Sequence, residues 1–181
     1  MTFYGAKELA ESFRTVRKNT MTIAQDIPED KYDFRATPGT RTVAQLLTHI
    51  ALAYNFQHQV HAVERRTTLE GFDFPSLVQR LATEEQQPRS KRQIIQMLGT
   101  NGEEFEKWLR GLSDEFLAES VTMPSTMGAT TKSRFEMILS VKEHEMHHRG
   151  QLMLIERLLG IVPHLTREMQ SRMAQAQAVR A

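Results

Sequence analysis

The sequence predicts an all-α protein built on four long amphipathic helices, with a short fifth helix at its carboxyl end. Three observations carry that expectation. Runs rich in Ala, Leu, Glu, Gln, Lys, Arg and Met alternate with short Pro/Gly/Thr breaks; apolar residues recur at helical spacing; and no stretch sustains the period-2 alternation, bounded by hairpin turns, that a sheet requires.

The first helix is expected from Ala6 to about Gln25, ending before Ile27-Pro28, because the residue preceding a proline is pushed out of helical geometry. Pro28 to Thr40, with Pro38-Gly39, reads as a connecting loop. The second helix is expected from about Thr42 to Arg66, followed by an irregular segment from Thr67 to Pro75 and a short helical turn from Ser76 to Thr83. A third long helix runs from about Ser90 to Leu112, with Gly99 and Gly102 weakening its middle. Val121 to Thr131, with Pro124, Gly128 and several Thr and Ser, reads as a loop. The fourth helix then starts near Thr131 or Lys132 and stops at Gly160, with Pro163 just beyond, and the short fifth covers Thr166 to Val179. Four such helices with intervening loops match a four-helix bundle, an architecture whose core builds metal and cofactor sites from facing side chains. Internal repeats and low-complexity tracts are absent from the sequence.

Composition narrows the functions available. At 181 residues the chain is about one domain, 1–181, and its 40% apolar and 25% charged residues are ordinary globular values. Uninterrupted apolar runs of the ~18 residues a membrane helix needs are absent, and Lys7 and Glu8 interrupt the amino terminus that begins Met1-Thr2-Phe3. A soluble protein without a secretory leader, located in the cytoplasm, is the expectation. Twenty-three basic residues against 22 acidic ones leave a formal charge of +1, which argues against a nucleic-acid partner, since such affinity needs a concentrated basic face. The nearest candidate patch, Arg89, Lys91 and Arg92, is diluted by Glu84 and Glu85. With no cysteine, disulfides, thiolate zinc sites, Cys nucleophiles and iron–sulfur clusters are excluded together, so any metal must be held by His, Asp or Glu.

Histidine placement points to a site. At ~100° per residue, Met137, Val141, His144, His148, Leu152, Ile155 and Leu159 form one stripe of the fourth helix, with two imidazoles one turn apart in an apolar seam. Leu46, His49, Ala53, Phe56 and Val60 form the matching stripe of the second helix. Burying ring nitrogens unpaired costs on the order of 1–3 kcal/mol each, so a shared divalent cation held by His49, His144 and His148 is the economical reading. His147 falls on the flank, as a surface or supporting residue. His58 and His61, beside Glu64, Arg65 and Arg66, read as surface residues, and His164, after Pro163, as a loop residue. The methionines, among them Met137, Met146 and Met153, read as packing residues.

Two other metal chemistries can be weighed on the same residues. His144-Glu145-Met146-His147-His148 satisfies H-E-x-x-H, the zinc-protease helix motif. However, Arg149-Gly150-Gln151-Leu152 breaks the metzincin continuation, a strand to align a peptide is missing from the preceding sequence, and His49 would be unexplained. Glu156 or Glu168 would have to supply the third ligand. A ferritin-like di-iron site needs two Glu-x-x-His motifs, of which Glu145-x-x-His148 is the sole example.

Two segments bear a family resemblance. Pro38-Gly39-Thr40-Arg41-Thr42-Val43-Ala44-Gln45-Leu46-Leu47-Thr48-His49-Ile50 is similar to the loop into helix two of the DinB/YfiT-like family, the DNA-damage-inducible DinB family, which is distinct from the polymerase of similar name. His144-Glu145-Met146-His147-His148-Arg149-Gly150-Gln151-Leu152 resembles that family's H-x-x-x-H-x-G-Q signature on the last bundle helix. With the helix spacing, the match covers most of Ala6 to Gly160. It implies a four-helix bundle with long crossover connections and a zinc, nickel or iron ion on His49, His144 and His148. It also implies a thiol-dependent S-transferase or isomerase using bacillithiol, mycothiol or glutathione, and a homodimer, in keeping with the many apolar faces on few helices. One departure is Arg41, where relatives frequently carry Trp. Because the chain has no cysteine, a thiol-transfer reaction would draw its sulfur from a diffusible cosubstrate acting on a small electrophile. Glu145, Tyr54 and Arg149 read as surface or structural neighbours of the site. The competing reading is a non-enzymatic metal-stabilised or small-molecule-binding bundle, with a closed rather than open coordination sphere.

Overall fold

The computed structural model describes residues 4–128 and 130–179, so that Met1 to Phe3, part of the stretch read above for a leader, lie outside the described residues. Its helices are α1 (Ala6–Asp26), α2 (Val43–Leu52), α3 (Asn55–His58), α4 (Phe74–Glu85), α5 (Lys91–Arg110), α6 (Asp114–Ala118), α7 (Arg134–Leu158) and α8 (His164–Ala178). The protein is all-α apart from a small antiparallel pair, β1 (Ser120–Thr122) and β2 (Thr131–Ser133), with Val121 opposite Lys132. Among the described residues, no helix is long and apolar enough to cross a membrane.

Helix starts are set by side-chain caps. Thr42, Ser90 and Ser133 each accept from the backbone three residues on, where Gln45, Gln93 and Glu136 reach back to complete capping boxes. Asp73 caps α4, and Pro75 in its first turn lacks an N–H that would be unsatisfied there anyway. Gly160, at φ +77°, takes the left-handed conformation that ends α7.

α1 packs on α5 and α7, and α2 packs on the same two helices, giving the order α1–α5–α2–α7 around the bundle. Chain neighbours α1 and α2 therefore lie on a diagonal, and their connection crosses the end of the bundle, as does the longer path from α5 through α6 and the β pair to α7. One apolar cluster gathers Ile23, Ile27, Leu47, Ile50, Leu98 and Leu152; a second gathers Leu9, Phe13, Phe105, Leu109 and Ile138 at the other end. Val60, Leu69, Val121 and Met137 form a smaller one beneath the β pair.

The second helix is not continuous, contrary to the expectation from Thr42 to Arg66. It breaks after Leu52, resumes as α3 and finishes in a π turn at Gln59–Val63. Two asparagines hold the break: Asn55 Nδ2 donates to the Leu52 carbonyl at 2.8 Å, and Asn101 Nδ2 on α5 donates to the Ala51 carbonyl at 3.0 Å. These bonds satisfy carbonyls freed from the helical ladder. α4 is longer than the expected turn by two residues at each end, because of its Asp73 cap and its packing against α2. Thr131–Ser133 pair with β1 instead of opening the last bundle helix.

At the end of α7 a carboxyl group is buried without a hydrogen bond. Glu156 is 0% exposed, and neither of its carboxyl oxygens has a partner among the described residues. Burial, then the Asp26 charge on α1, push its pKa from 4.5 up to about 7, against the opposing influence of Arg167 and Arg157. Its folded pKa is raised, so its contribution favours the fold below pH 4.5 and is lost as pH rises through about 7. Glu156→Gln should therefore gain on the wild type by on the order of 2 kcal/mol between pH 4.5 and 8, measured by urea unfolding at both values. An unchanged stability difference would mean that the carboxyl ionises freely in the folded state.

Candidate metal centre

His49 sits in the last turn of α2, and His144 and His148 occupy successive turns of α7. Their rings converge. His144 Nε2 lies 3.0 Å from His49 Nε2 and 3.1 Å from His148 Nε2, and the three rings form a cluster of possible ligand atoms. The structure thus brings together all three histidines singled out by the helical stripes, across a sequence separation of 95 residues.

Hydrogen bonds on the far side of two rings fix what faces the centre. His49 Nδ1 donates to Glu85 Oε1, at the end of α4, and His148 Nδ1 donates to Gln151 Oε1 at 2.8 Å. With the proton on Nδ1 in both, both Nε2 atoms present lone pairs to His144 Nε2. His144 could donate one proton to one of them, leaving lone pair against lone pair at the other contact. A cation removes that conflict, and a tetrahedral ion at the ~2.0–2.1 Å of a zinc–imidazole bond would set its ligand nitrogens about 3.3 Å apart, close to the two contacts at His144, with all three ligand atoms within 4.8 Å of one another. The donor set fits a divalent ion. His144 Nδ1 is buried without a partner among the described residues, so the orienting acceptor found behind the other two rings is missing behind this one.

Electrostatics keep His144 and His148 in the ligating form. Burial foremost, then the neighbouring His148, His49, His147 and Arg41 charges, push His144 down to about 4; burial also lowers His148. Glu85 is nearly buried and burial alone would raise its pKa, but hydrogen bonds from His49 and Arg41 hold it below the usual carboxylate value. Arg41 Nε donates to Glu85 Oε2 at 2.7 Å, making an Arg41–Glu85–His49 chain from solvent to the centre. Neither residue was legible as part of the site. Glu85 stood beyond the expected end of its helical turn, and Arg41 entered the sequence analysis through the family comparison alone.

The other sequence-selected residues are sorted by burial. Glu145 is 1% exposed, and both of its oxygens accept from Arg17 of α1, at 2.9–3.1 Å. It is an internal ion-pair partner, so the H-E-x-x-H protease reading loses its general base. His147 is exposed on the flank, receiving a bond from Gln151 Nε2 at 3.3 Å. His61 is a correction. It is fully buried, donating from Nε2 to Gln57 Oε1 at 3.0 Å and accepting at Nδ1 from Arg134 at 2.9 Å, because the π turn rotates it inward beneath α7. His58 is half-buried, its ring 5.7 Å from Trp108. His164 is likewise buried and opens α8 instead of lying in a loop; its Nε2 lies 3.4 Å from Asn19 Oδ1. Tyr54 packs on Phe105, and Arg149 is half-buried on α7.

One edge of the centre meets a cleft of about 730 Å³, bordered by His148 and Glu85 together with Arg35, Arg41 and Leu154.

Fold and cluster together define a four-helix-bundle protein with a three-histidine centre that meets a cleft at His148. The chain belongs to the DinB superfamily, whose profile matches residues 12–152. Solved structures agree in fold. YfiT from Bacillus subtilis, described as a probable metal-dependent hydrolase with an unusual four-helix bundle topology, is 14% identical with a TM-score of 0.65, covering 89% of this chain and 91% of its own. A DinB-like protein of Bacillus cereus gives 16% identity and a TM-score of 0.64 over 86% and 93% of the two chains. YjoA, a DinB-like protein of B. subtilis, gives 18% and 0.62 over 84% and 92%. A comparison with curated proteins returned no match.

Proposed function

We propose that this protein is a divalent-metal-dependent transferase that joins a diffusible thiol to a small electrophile, with His49, His144 and His148 as the metal ligands. The observation that supports it is the convergence of three Nε2 atoms, two of them fixed as lone-pair donors, beside a cleft of about 730 Å³ that His148 borders. A three-histidine ion with an open position supplies Lewis acidity that keeps a thiol or water deprotonated near neutral pH. Glu85 holds the His49 ring in one orientation and tautomer, Gln151 does the same for His148, and Arg41 keeps Glu85 ionised. The thiol proton leaves to solvent, the sulfur pair forms the S–C bond, and the leaving group departs with its bonding pair.

Hydrolysis is the second reading, since the YfiT relative carries that description. Against it, the nearby carboxylates are engaged: Glu145 by Arg17, and Glu85 by His49 and Arg41. With neither free to take a water proton, ionising water would fall to the ion alone, whereas a thiol, with an ordinary pKa near ~8.5 against ~15.7 for water, needs less help from it. Zinc-, nickel- and iron-loaded protein should be assayed with 1-chloro-2,4-dinitrobenzene plus a thiol, and separately with p-nitrophenyl acetate alone. A rate needing both metal and thiol is the expected result; metal-dependent ester cleavage without thiol would replace transfer by hydrolysis.

A further inference from the structure

The cleft that reaches the three-histidine cluster at His148 is unevenly charged. Of the side chains that border it, three carry formal charge: Arg35, Arg41 and Glu85. Glu85 is 7% exposed and already binds His49 and Arg41, so its charge is spent within the wall. Arg41 uses Nε on Glu85, with one NH₂ group 3.5 Å from the other carboxylate oxygen, while its remaining NH₂ group has no protein acceptor among the described residues. Arg35 is freer. One of its NH₂ groups donates to the Thr40 carbonyl at 2.5 Å, which pins the guanidinium across the Ala36–Gly39 turn, and it makes no ion pair among the described residues. It also borders a neighbouring cleft that contains Asp33, with no ion pair between the two.

Two arginines against one carboxylate leave the cleft with an excess positive charge before any ion binds, and a divalent ion would add two more. An anionic group entering it meets unspent guanidinium N–H donors whose planar fork matches a carboxylate or phosphate. A cationic or purely apolar ligand would leave those charges uncompensated in a partly enclosed space.

We infer that the cleft selects substrates bearing a carboxylate or phosphate group, with Arg35 as the residue that decides this specificity and Arg41 assisting it. The inference rests on the metal-site reading above and adds to it the charge of the molecule that binds. Arg35 is the better probe of the two, because Arg41 also supports Glu85 behind His49. The expected preference for an anionic ligand over its neutral counterpart is about tenfold, the worth of one partly exposed charged hydrogen bond. It should shrink as salt is added, since Arg35 is exposed.

The test uses cobalt(II)-loaded protein, whose visible absorption reports thiol binding without turnover. Wild type, Arg35→Gln and Arg35→Glu are titrated with 3-mercaptopropionate, 3-mercapto-1-propanol and cysteamine. The wild type should bind the carboxylate thiol about tenfold more tightly than the alcohol, Arg35→Gln should bring the two together, and Arg35→Glu should turn the preference towards cysteamine. All three proteins should hold the same amount of cobalt. One ranking shared by all three proteins would overturn the inference, because the discrimination would then come from the ion alone. Loss of cobalt in Arg35→Gln would overturn it too, placing Arg35 in support of the centre. A wild type that takes up no cobalt would instead sink the metal-site reading itself.

Discussion

Replacing His144 by alanine is expected to abolish stoichiometric binding of a divalent ion while leaving the helical content near that of the wild type. Metal per chain by inductively coupled plasma mass spectrometry, alongside circular dichroism, checks both halves. His144 is the middle ring of the three, within hydrogen-bond distance of each of the others, so its removal leaves two ligands on two different helices. His49→Ala should do the same. Glu85→Gln should weaken the metal about 10- to 100-fold without abolishing it, the usual cost of disturbing the partner behind a ligating histidine. His58→Ala, against Trp108, should leave metal content unchanged. Retention of a full equivalent by His49→Ala would show that α7 holds the ion without α2.

The largest stability effect is expected at Arg17→Met. Arg17 is 4% exposed, gives three hydrogen bonds to Glu145 and donates to the Leu98 carbonyl at 2.7 Å, joining α1, α5 and α7 between the two apolar clusters. Removing it strands a buried carboxylate, and unfolding free energy should fall by about 3–5 kcal/mol. The double variant Arg17→Met, Glu145→Leu should recover most of that loss, since neither charge is then left unpaired. Denaturant unfolding of the two single variants and the double one closes the cycle. A double variant as unstable as the sum of the singles would mean that the two residues contribute independently, so that neither single change strands a charge.

The same pair explains a glycine that helix propensity alone makes look like a weakness. A Cβ on Gly102 of α5 would come within 2.9 Å of the Arg17 side chain. The glycine makes room for the guanidinium to reach its partners, and the local cost in helix propensity is the condition for the internal ion pair.

The bundle and the three histidines were readable from sequence for one physical reason. On a regular helix, position in the chain encodes direction, so an imidazole in an apolar stripe must point where the stripe points. Where regularity fails, so does the reading. The asparagine-held break after Leu52 and the π turn beyond it rotate His61 from the expected surface into the interior. Glu85 reaches His49 from an element 36 residues away, a relation that periodicity does not encode. The β pair forms between short polar segments that carry no apolar alternation. Arg17 is a different case, because Leu9, Phe13, Arg17, Thr20 and Ala24 step by helical spacing along a buried stripe of α1. A charged residue there was as visible as the histidines on the other two helices.

The separations that build the centre also fix when it can exist. Its histidines stand 95 residues apart, and the ion pair behind them spans 128. A chain emerging from the ribosome carries one ligand, His49, and the carboxylate that orients it long before α7 is synthesised. Until the final bundle helix docks there is no pocket for an ion to enter. Metal uptake therefore belongs to the end of folding, as a seal on a completed bundle, and cannot serve as a template around which the earlier helices gather.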